Sequence, residues 1–276
     1  MRLFLLTALT MIAFAANSVL NRLALKGHEI GAMDFAAVRL VAGAVALLGL
    51  ALLAGRGLGH WSWRRAVGAA SLLAYMLGFS RAYLALDAGV GALILFGGVQ
   101  ITMFAGALVA GEVLPARRWA GAVLAFAGLL WLLWPRGQGT GQEVMPAVAM
   151  AVAAVGWGIY SLNGRKGGDP LAGTAANFLL AAPVAVLVAV GWRADVQATW
   201  PGILLALVSG AITSGMGYAL WYAILPRLGA ARAAVAQLTV PVIAASGGIL
   251  LIGEGLSTVF VLAAALVLGG VAIASR

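Results

Sequence analysis

Residues 109–114 read Val-Ala-Gly-Glu-Val-Leu and residues 251–256 read Leu-Ile-Gly-Glu-Gly-Leu, so Gly111-Glu112 recurs as Gly253-Glu254 after 142 positions. The same shift lays Asn21 on Asn163 and Gly128 on Gly270. A further pair, Ser80-Arg81-Ala82-Tyr83-Leu84-Ala85-Leu86 and Ala219-Leu220-Trp221-Tyr222-Ala223-Ile224-Leu225, corresponds once a three-residue gap is allowed. Any single match arises easily by chance in Ala/Gly-rich sequence. Their common offset is the stronger signal, and it divides the chain into related halves, 1–138 and 139–276.

Composition says what those halves are made of. Hydrophobic residues make up 63% of the chain and charged residues only 9%, which rules out a water-soluble domain. A helix crosses the hydrocarbon core in ~20 residues and bonds its backbone internally, so long apolar runs between short polar breaks read as a helical bundle. The strict alternation of a β-barrel is missing. Breaks containing charge, Gly or Pro leave ten spans, near 3–23, 34–54, 65–84, 89–110, 117–134, 144–163, 172–191, 201–224, 231–252 and 257–275. The predicted fold is therefore all-α, a polytopic membrane bundle of ten transmembrane helices. Because five is odd, the second copy enters the membrane from the opposite face, and the halves form an inverted pair, which is a transporter architecture. Connections are short throughout, so function must lie inside the bundle.

The net charge of +9 comes from Lys and Arg in short loops beside apolar runs, a topology signal and not a nucleic-acid surface. With the N-terminus inside, eleven fall on the cytoplasmic side: Arg2, Arg56, Arg64, Arg65, Arg117, Arg118, Arg165, Lys166, Arg227, Arg232 and Arg276. Five fall opposite, namely Arg22, Lys26, Arg81, Arg136 and Arg193, so both termini are expected to be cytoplasmic. Cysteine is absent, which removes disulfides and thiol chemistry. Met1-Arg2 with Ala13-Phe14-Ala15 imitates a signal peptide, but the repeat claims this segment as a structural helix.

These features resemble the drug/metabolite transporter superfamily, specifically its EamA-type ten-helix permeases. The resemblance covers the whole chain. It rests on the repeat, on Tyr-x-Ala-Leu from Tyr83 to Leu86, on the Gly-Glu that ends the fourth and ninth helices, on Pro241, and on the Gly-rich fifth and tenth helices. It extends to the YddG-like exporters of aromatic and other amino acids. The resemblance implies efflux of metabolites across a bacterial inner membrane without ATP hydrolysis. In agreement, the chain carries no phosphate-binding Gly-x-x-x-x-Gly-Lys-Ser/Thr loop. No cofactor and no metal are implied; the expected partners are a small-molecule substrate and the lipid bilayer, with no nucleic acid, and a monomer is plausible.

Candidate site residues are the polar and amphipathic groups near helix centres. Asn17, Gln100 and Gln237 are amides in hydrocarbon, each serving equally as a substrate contact or as an interhelical structural bond. Tyr75, Phe79 and Tyr83 follow i, i+4, i+8 and share one face of the third helix, as a cavity wall or as packing, with an interfacial position open to Tyr83. Trp157 and Tyr160 on the sixth helix, with Tyr218, Trp221 and Tyr222 on the eighth, strengthen the aromatic-wall reading, which suits an apolar, planar or cationic substrate. Pro183 and Pro241 lie inside helices, where each removes a backbone bond, and are candidate hinges. Gly97-Gly98 and Gly247-Gly248 read as close helix packing. Arg39 is the single charge placed within a span; its expected behaviour is to snorkel toward the interface, the alternatives being to fix the second helix through carbonyls or to draw a substrate carboxylate.

Every acidic residue falls in a loop or at a helix end, so the mid-membrane carboxylate of a simple proton antiporter is missing and facilitated export gains. An intramembrane enzyme would need a nucleophile and base or a metal site, yet both histidines, His28 and His60, lie in loops. Within transporters the alternative is a nucleotide-sugar or phosphosugar carrier, which would favour several cations in the cavity. Neutral or zwitterionic molecules, above all amino acids and also aromatic cations, fit better.

Overall fold

The computed structural model describes residues 1–58, 62–134, 144–164, 168–192 and 196–275, with backbone alone at 229–231. Ten long helices run through them: α1 Arg2–Lys26, α2 Ala32–Leu53, α3 Trp63–Ala82, α4 Ala88–Val109, α5 Ala116–Leu133, α6 Val144–Gly164 and α7 Pro170–Gly191. They are completed by α8 Trp200–Leu228, α9 Arg232–Ile252 and α10 Thr258–Ser275. Nine are long and apolar enough to cross a membrane; α3 is less apolar because Arg64, Arg65 and Arg81 sit at its ends. The predicted boundary at 138/139, and Arg136, Arg165, Lys166, Arg193 and Arg276 of the charge count, lie outside the described residues.

Local chemistry sets the helix ends. Ser62 caps α3 by accepting the amide of Arg65, and Thr199 caps α8 by accepting that of Gly202. Asp169 does the same for α7, accepting from Leu171 and Ala172 ahead of Pro170, whose missing N–H costs nothing in the first turn. The repeated Gly-Glu pairs end equivalent helices in the same way: Gly111 closes α4 at φ 75° and Gly253 closes α9 at φ 70°. Both glycines adopt the left-handed conformation that a side chain disfavours. The sequence repeat is thus a structural one.

Three departures from regular α-helix interrupt α8 and α9, one of them a π-helical turn over Gly248–Ile252 at the end of α9. In α8 the backbone widens to a π-helix over Ser209–Met216, turning Ser209, Thr213 and Ser214 inward together. In α9 the helix breaks at Leu238, between segments ending at Gln237 and starting at Thr239. The cause lies three residues on, because Pro241 cannot donate the hydrogen bond that the Gln237 carbonyl would accept. The helix α7, by contrast, runs unbroken past Pro183.

Packing follows the duplication. α2 lies against α7 and α5 against α10, each pairing equivalents. α3 packs on α6 as α1 packs on α8, α4 on α6 as α1 on α9, and α3 on α7 as α2 on α8. Exchanging the halves leaves this set of neighbours unchanged, as a pseudo-twofold in the membrane plane requires. Leucine, valine and tryptophan side chains such as Leu52, Leu187, Val190, Trp131 and Leu250 cover the outside, the arrangement expected of a lipid-facing surface.

Candidate substrate cavity and central polar cluster

At one face of the bundle, the ends of α2, α3, α6, α7 and α8 surround an open cavity of about 670 Å³. Arg64, Arg65, Asn163 and Asp169 stand at its mouth, and Thr174, Asn177, Tyr160 and Tyr222 line its depth. Asp169 is tied to Arg56. Burial pushes its carboxyl up, but the Arg56 hydrogen bond and the amides of Ala172 and Leu171 outweigh this and hold it below the ordinary carboxylate range.

Toward the bundle centre the aromatic residues close in layers. Tyr160 and Tyr222 meet edge to face at 5.9 Å, and Tyr160 stacks on Trp157 at 5.4 Å. Trp157 in turn lies 4.6 Å from Tyr218 and 5.0 Å from Tyr75, with Phe14 edge-on to Trp157 and Tyr218. Helix spacing explains the layering, since Trp157 and Tyr160 are three apart on α6 and Tyr218 and Tyr222 four apart on α8.

Beneath these rings lies Arg39, 0% exposed. It does not snorkel, which corrects the expectation from sequence. Its Nε donates to Ser214 Oγ at 2.8 Å, and Nη2 donates to the hydroxyls of Tyr218 at 3.1 Å and Tyr75 at 3.2 Å. The guanidinium also lies over Phe79, 4.9 Å from the ring centre. The direction of the side chain is set by α8, whose Gly210 comes so close that a Cβ there would strike the Arg39 carbonyl. Asn17 organises the other side of the cluster, its Oδ1 accepting from Ser209, Thr213 and Ser214 at 2.9, 2.6 and 3.1 Å. The π-helical turn brings those three hydroxyls to one acceptor.

Of the residues expected at a site, Asn17, Tyr75, Phe79, Trp157 and Tyr218 therefore come together at the centre, and Tyr160 lines the cavity. Gln100 and Gln237 stand apart. They bond to each other at 3.4 Å between α4 and α9, beside Pro241, which matches the structural reading of these amides. Tyr83 is fully buried near the opposite face, its hydroxyl donating to the Ala88 carbonyl at 3.2 Å, so it occupies no interfacial belt.

That opposite face is shut. Arg22 Nε donates to Glu254 at 3.0 Å, and its Nη1 donates to the carbonyls of Tyr83 and Leu84, both at 3.1 Å. Glu254 also accepts the Ala88 amide at 2.8 Å, binding the start of α4 to the end of α9. Sequence analysis missed this cluster because Arg22 and Glu254 each look like ordinary loop-end charges.

The model of the EamA-like transporter family matches twice, over residues 1–134 and 144–276, one match per half. The chain belongs to this family. It is accordingly a multi-pass membrane protein and a transporter of small molecules. The uncharacterized protein PA1977 of Pseudomonas aeruginosa is 45% identical over 277 residues, covering 99% of this chain and 94% of the relative. A protein crystal structure superposes with a TM-score of 0.69 at 22% identity, over 97% of this chain and 96% of that one, and shares its fold.

Proposed function

We propose that this EamA family member is a secondary transporter that exports small metabolites, foremost aromatic and other neutral amino acids, from a bacterial cytoplasm. The observation that carries the reading is the cavity of about 670 Å³ whose inner wall is Tyr160, Tyr222 and Asn177, with Trp157 stacked behind Tyr160. A cavity of several hundred cubic ångströms with aromatic walls and a few amides and hydroxyls suits one small amphipathic molecule. It opens at the ends of α2, α6 and α8, beside Arg56, Arg64 and Arg65, on the side to which positive charge assigns the cytoplasm. Both termini then lie in the cytoplasm of an inner-membrane protein. The cavity faces the cytoplasm while the far side is shut, as an exporter awaiting substrate requires.

The two halves, 1–138 and 139–276, rock against each other to give alternating access, with Pro241 and Pro183 as flexible points. No ATP enters the cycle. A second reading, carriage of a nucleotide sugar or phosphosugar, draws support from Arg64 and Arg65 at the cavity mouth. Proteoliposome counterflow with labelled amino acids, a phosphosugar and an aromatic cation separates the readings. Saturable amino-acid exchange that weakens in Tyr160→Ala and Trp157→Ala supports the proposal, and exchange of the phosphosugar alone overturns it.

A further inference from the structure

We infer that Arg39 is a carboxylate-binding site, so that transported molecules carry a carboxylate on a neutral or aromatic body. This deepens the proposed function and rests on it. The starting point is an uncompensated charge. Arg39 is wholly buried at the bundle centre, and among the described residues no carboxylate lies within ion-pair distance of it. Its partners are three neutral hydroxyls and two aromatic faces, Phe79 at 4.9 Å and Tyr75 at 5.6 Å. A buried ion is costly unless paired, and ionisable groups at this depth mark substrate pathways. Elsewhere the same chain meets the requirement, since buried Arg22 is paired with Glu254.

Unused donors point the same way. Nη1 of Arg39 has no hydrogen-bond partner, and neither has the indole nitrogen of Trp157, which is 2% exposed and one ring layer away through Tyr75 and Tyr218. Buried donors left unsatisfied are rare and call for an explanation. A planar guanidinium presents two parallel N–H groups that match the two oxygens of a carboxylate. Nη1 is open for one; Nη2 now serves two tyrosine hydroxyls, which can turn and donate to the incoming anion instead.

Position completes the argument. By the repeat register, Ser214 is the counterpart of Tyr75, and Tyr218 the counterpart of Phe79. Arg39 therefore binds both members of two symmetry-related pairs, at the place where α3 and α8 approach the pseudo-twofold. A site there can be reached from either face as the halves exchange conformations. In the present conformation the layer of Trp157, Tyr218 and Tyr75 separates it from the cavity. The same positive charge repels cations, so aromatic amines that lack a carboxylate are excluded.

The test uses the full chain in proteoliposomes, with exchange of labelled phenylalanine and phenylpropionate, and with phenylalaninamide and phenethylamine as competitors. The wild type should exchange or bind the two carboxylates and ignore the amide and the amine by roughly tenfold or more, one hydrogen-bonded ion contact. Arg39→Lys should weaken carboxylate binding by roughly tenfold, and Arg39→Gln should abolish it while the protein still elutes as a folded species. Phenylalanine exchange inhibited equally by the amide would overturn the Arg39 site and leave the transport reading standing. Exchange of phenylpropionate but of no amino acid would keep the Arg39 site and overturn the amino-acid reading. No exchange or binding of any of the four overturns both, and because the wild-type comparison needs no variant, poor folding of Arg39→Gln cannot rescue the idea.

Discussion

Arg22 on α1 and Glu254 beyond α9 form a buried ion pair, 3.0 Å from Nε to carboxylate, that locks together two ends from opposite halves of the chain. The carboxylate reaches further, to the Ala88 amide, so a single side chain closes α1, α4 and α9 at the far face. Removing one partner of a buried pair costs about 3 kcal/mol where the other is left alone, and less here, because Arg22 keeps Asp87 at 3.4 Å and the carbonyls of Tyr83 and Leu84. Glu254→Gln is therefore expected to lower the thermal midpoint of the purified protein. It should also unseal the far face: Ser80→Cys, fully buried beside Asn21 in the parent, becomes reactive to a thiol reagent when combined with Glu254→Gln. The chain has no native cysteine, so the labelling is specific. An unchanged midpoint together with an unreactive Ser80→Cys would show that the pair does not hold the closure.

Gly210 provides a test of the central cluster that leaves every polar group in place. A Cβ at this position meets the Arg39 carbonyl, a backbone atom that cannot swing aside, and Ala42 Cβ at 2.8 Å. Gly210→Ala should push α8 from α2 and stretch the bond between Ser214 and Arg39, reducing exchange severalfold. At Gly49, on the same helix as Arg39, no atom lies within 4 Å of an added Cβ. Gly49→Ala should leave exchange unchanged and stabilise the helix by up to about 1 kcal/mol. Equal effects of the two changes would mean that close contact of α2 and α8 is immaterial.

Much of this fold was readable because hydrocarbon admits only helices or closed barrels and the alternation of a barrel is missing, so run length and a duplicated Gly-Glu sufficed for ten helices in two halves. The side-chain geometry was readable only where helix spacing governs it, as in the stacking of Trp157 on Tyr160. Arg39 shows the limit. Its position gives depth in the membrane, but whether a long side chain turns toward the interface or the centre depends on what the neighbouring helix offers. Here the offer comes from a π-helical turn in α8 that no apolar periodicity signals. Gln100 and Gln237 show the converse, since two mid-membrane amides from separate helices found each other and lie apart from the cavity.

The ion pair at the cavity mouth has a pH signature. Asp169 is held below the ordinary carboxylate range in the folded protein, whereas the unfolded group titrates at about 3.9. A depressed pKa means that its contact with Arg56 and the α7 cap contributes fully above the unfolded value and is lost as pH falls through the folded one. The pair is partly exposed, so the effect is small. Thermal midpoints of wild type and Asp169→Asn should differ modestly at neutral pH and converge only below the ordinary carboxylate range. Convergence already at pH 6 would assign the difference to another group.

Glu112, the counterpart of Glu254, makes the most direct claim about the transport cycle. On the open side its side chain is 59% exposed and only 3.9 Å from Arg118, while Glu254 on the closed side is buried and bonded to the start of α4. If the halves exchange conformations, Glu112 must do at the start of α9 what Glu254 does at Ala88, sealing the cavity side when the far side opens. Its charge then matters in a state other than the present one. Glu112→Gln should leave the thermal midpoint of the resting protein unchanged. It should still slow exchange by roughly tenfold, the loss of a charge-assisted hydrogen bond of about 1.5 kcal/mol in one of two interconverting states. Glu254→Gln should do the reverse to the resting state, lowering its midpoint. If both variants changed stability alike, or if Glu112→Gln exchanged substrate at the wild-type rate, the two glutamates would not be alternating latches.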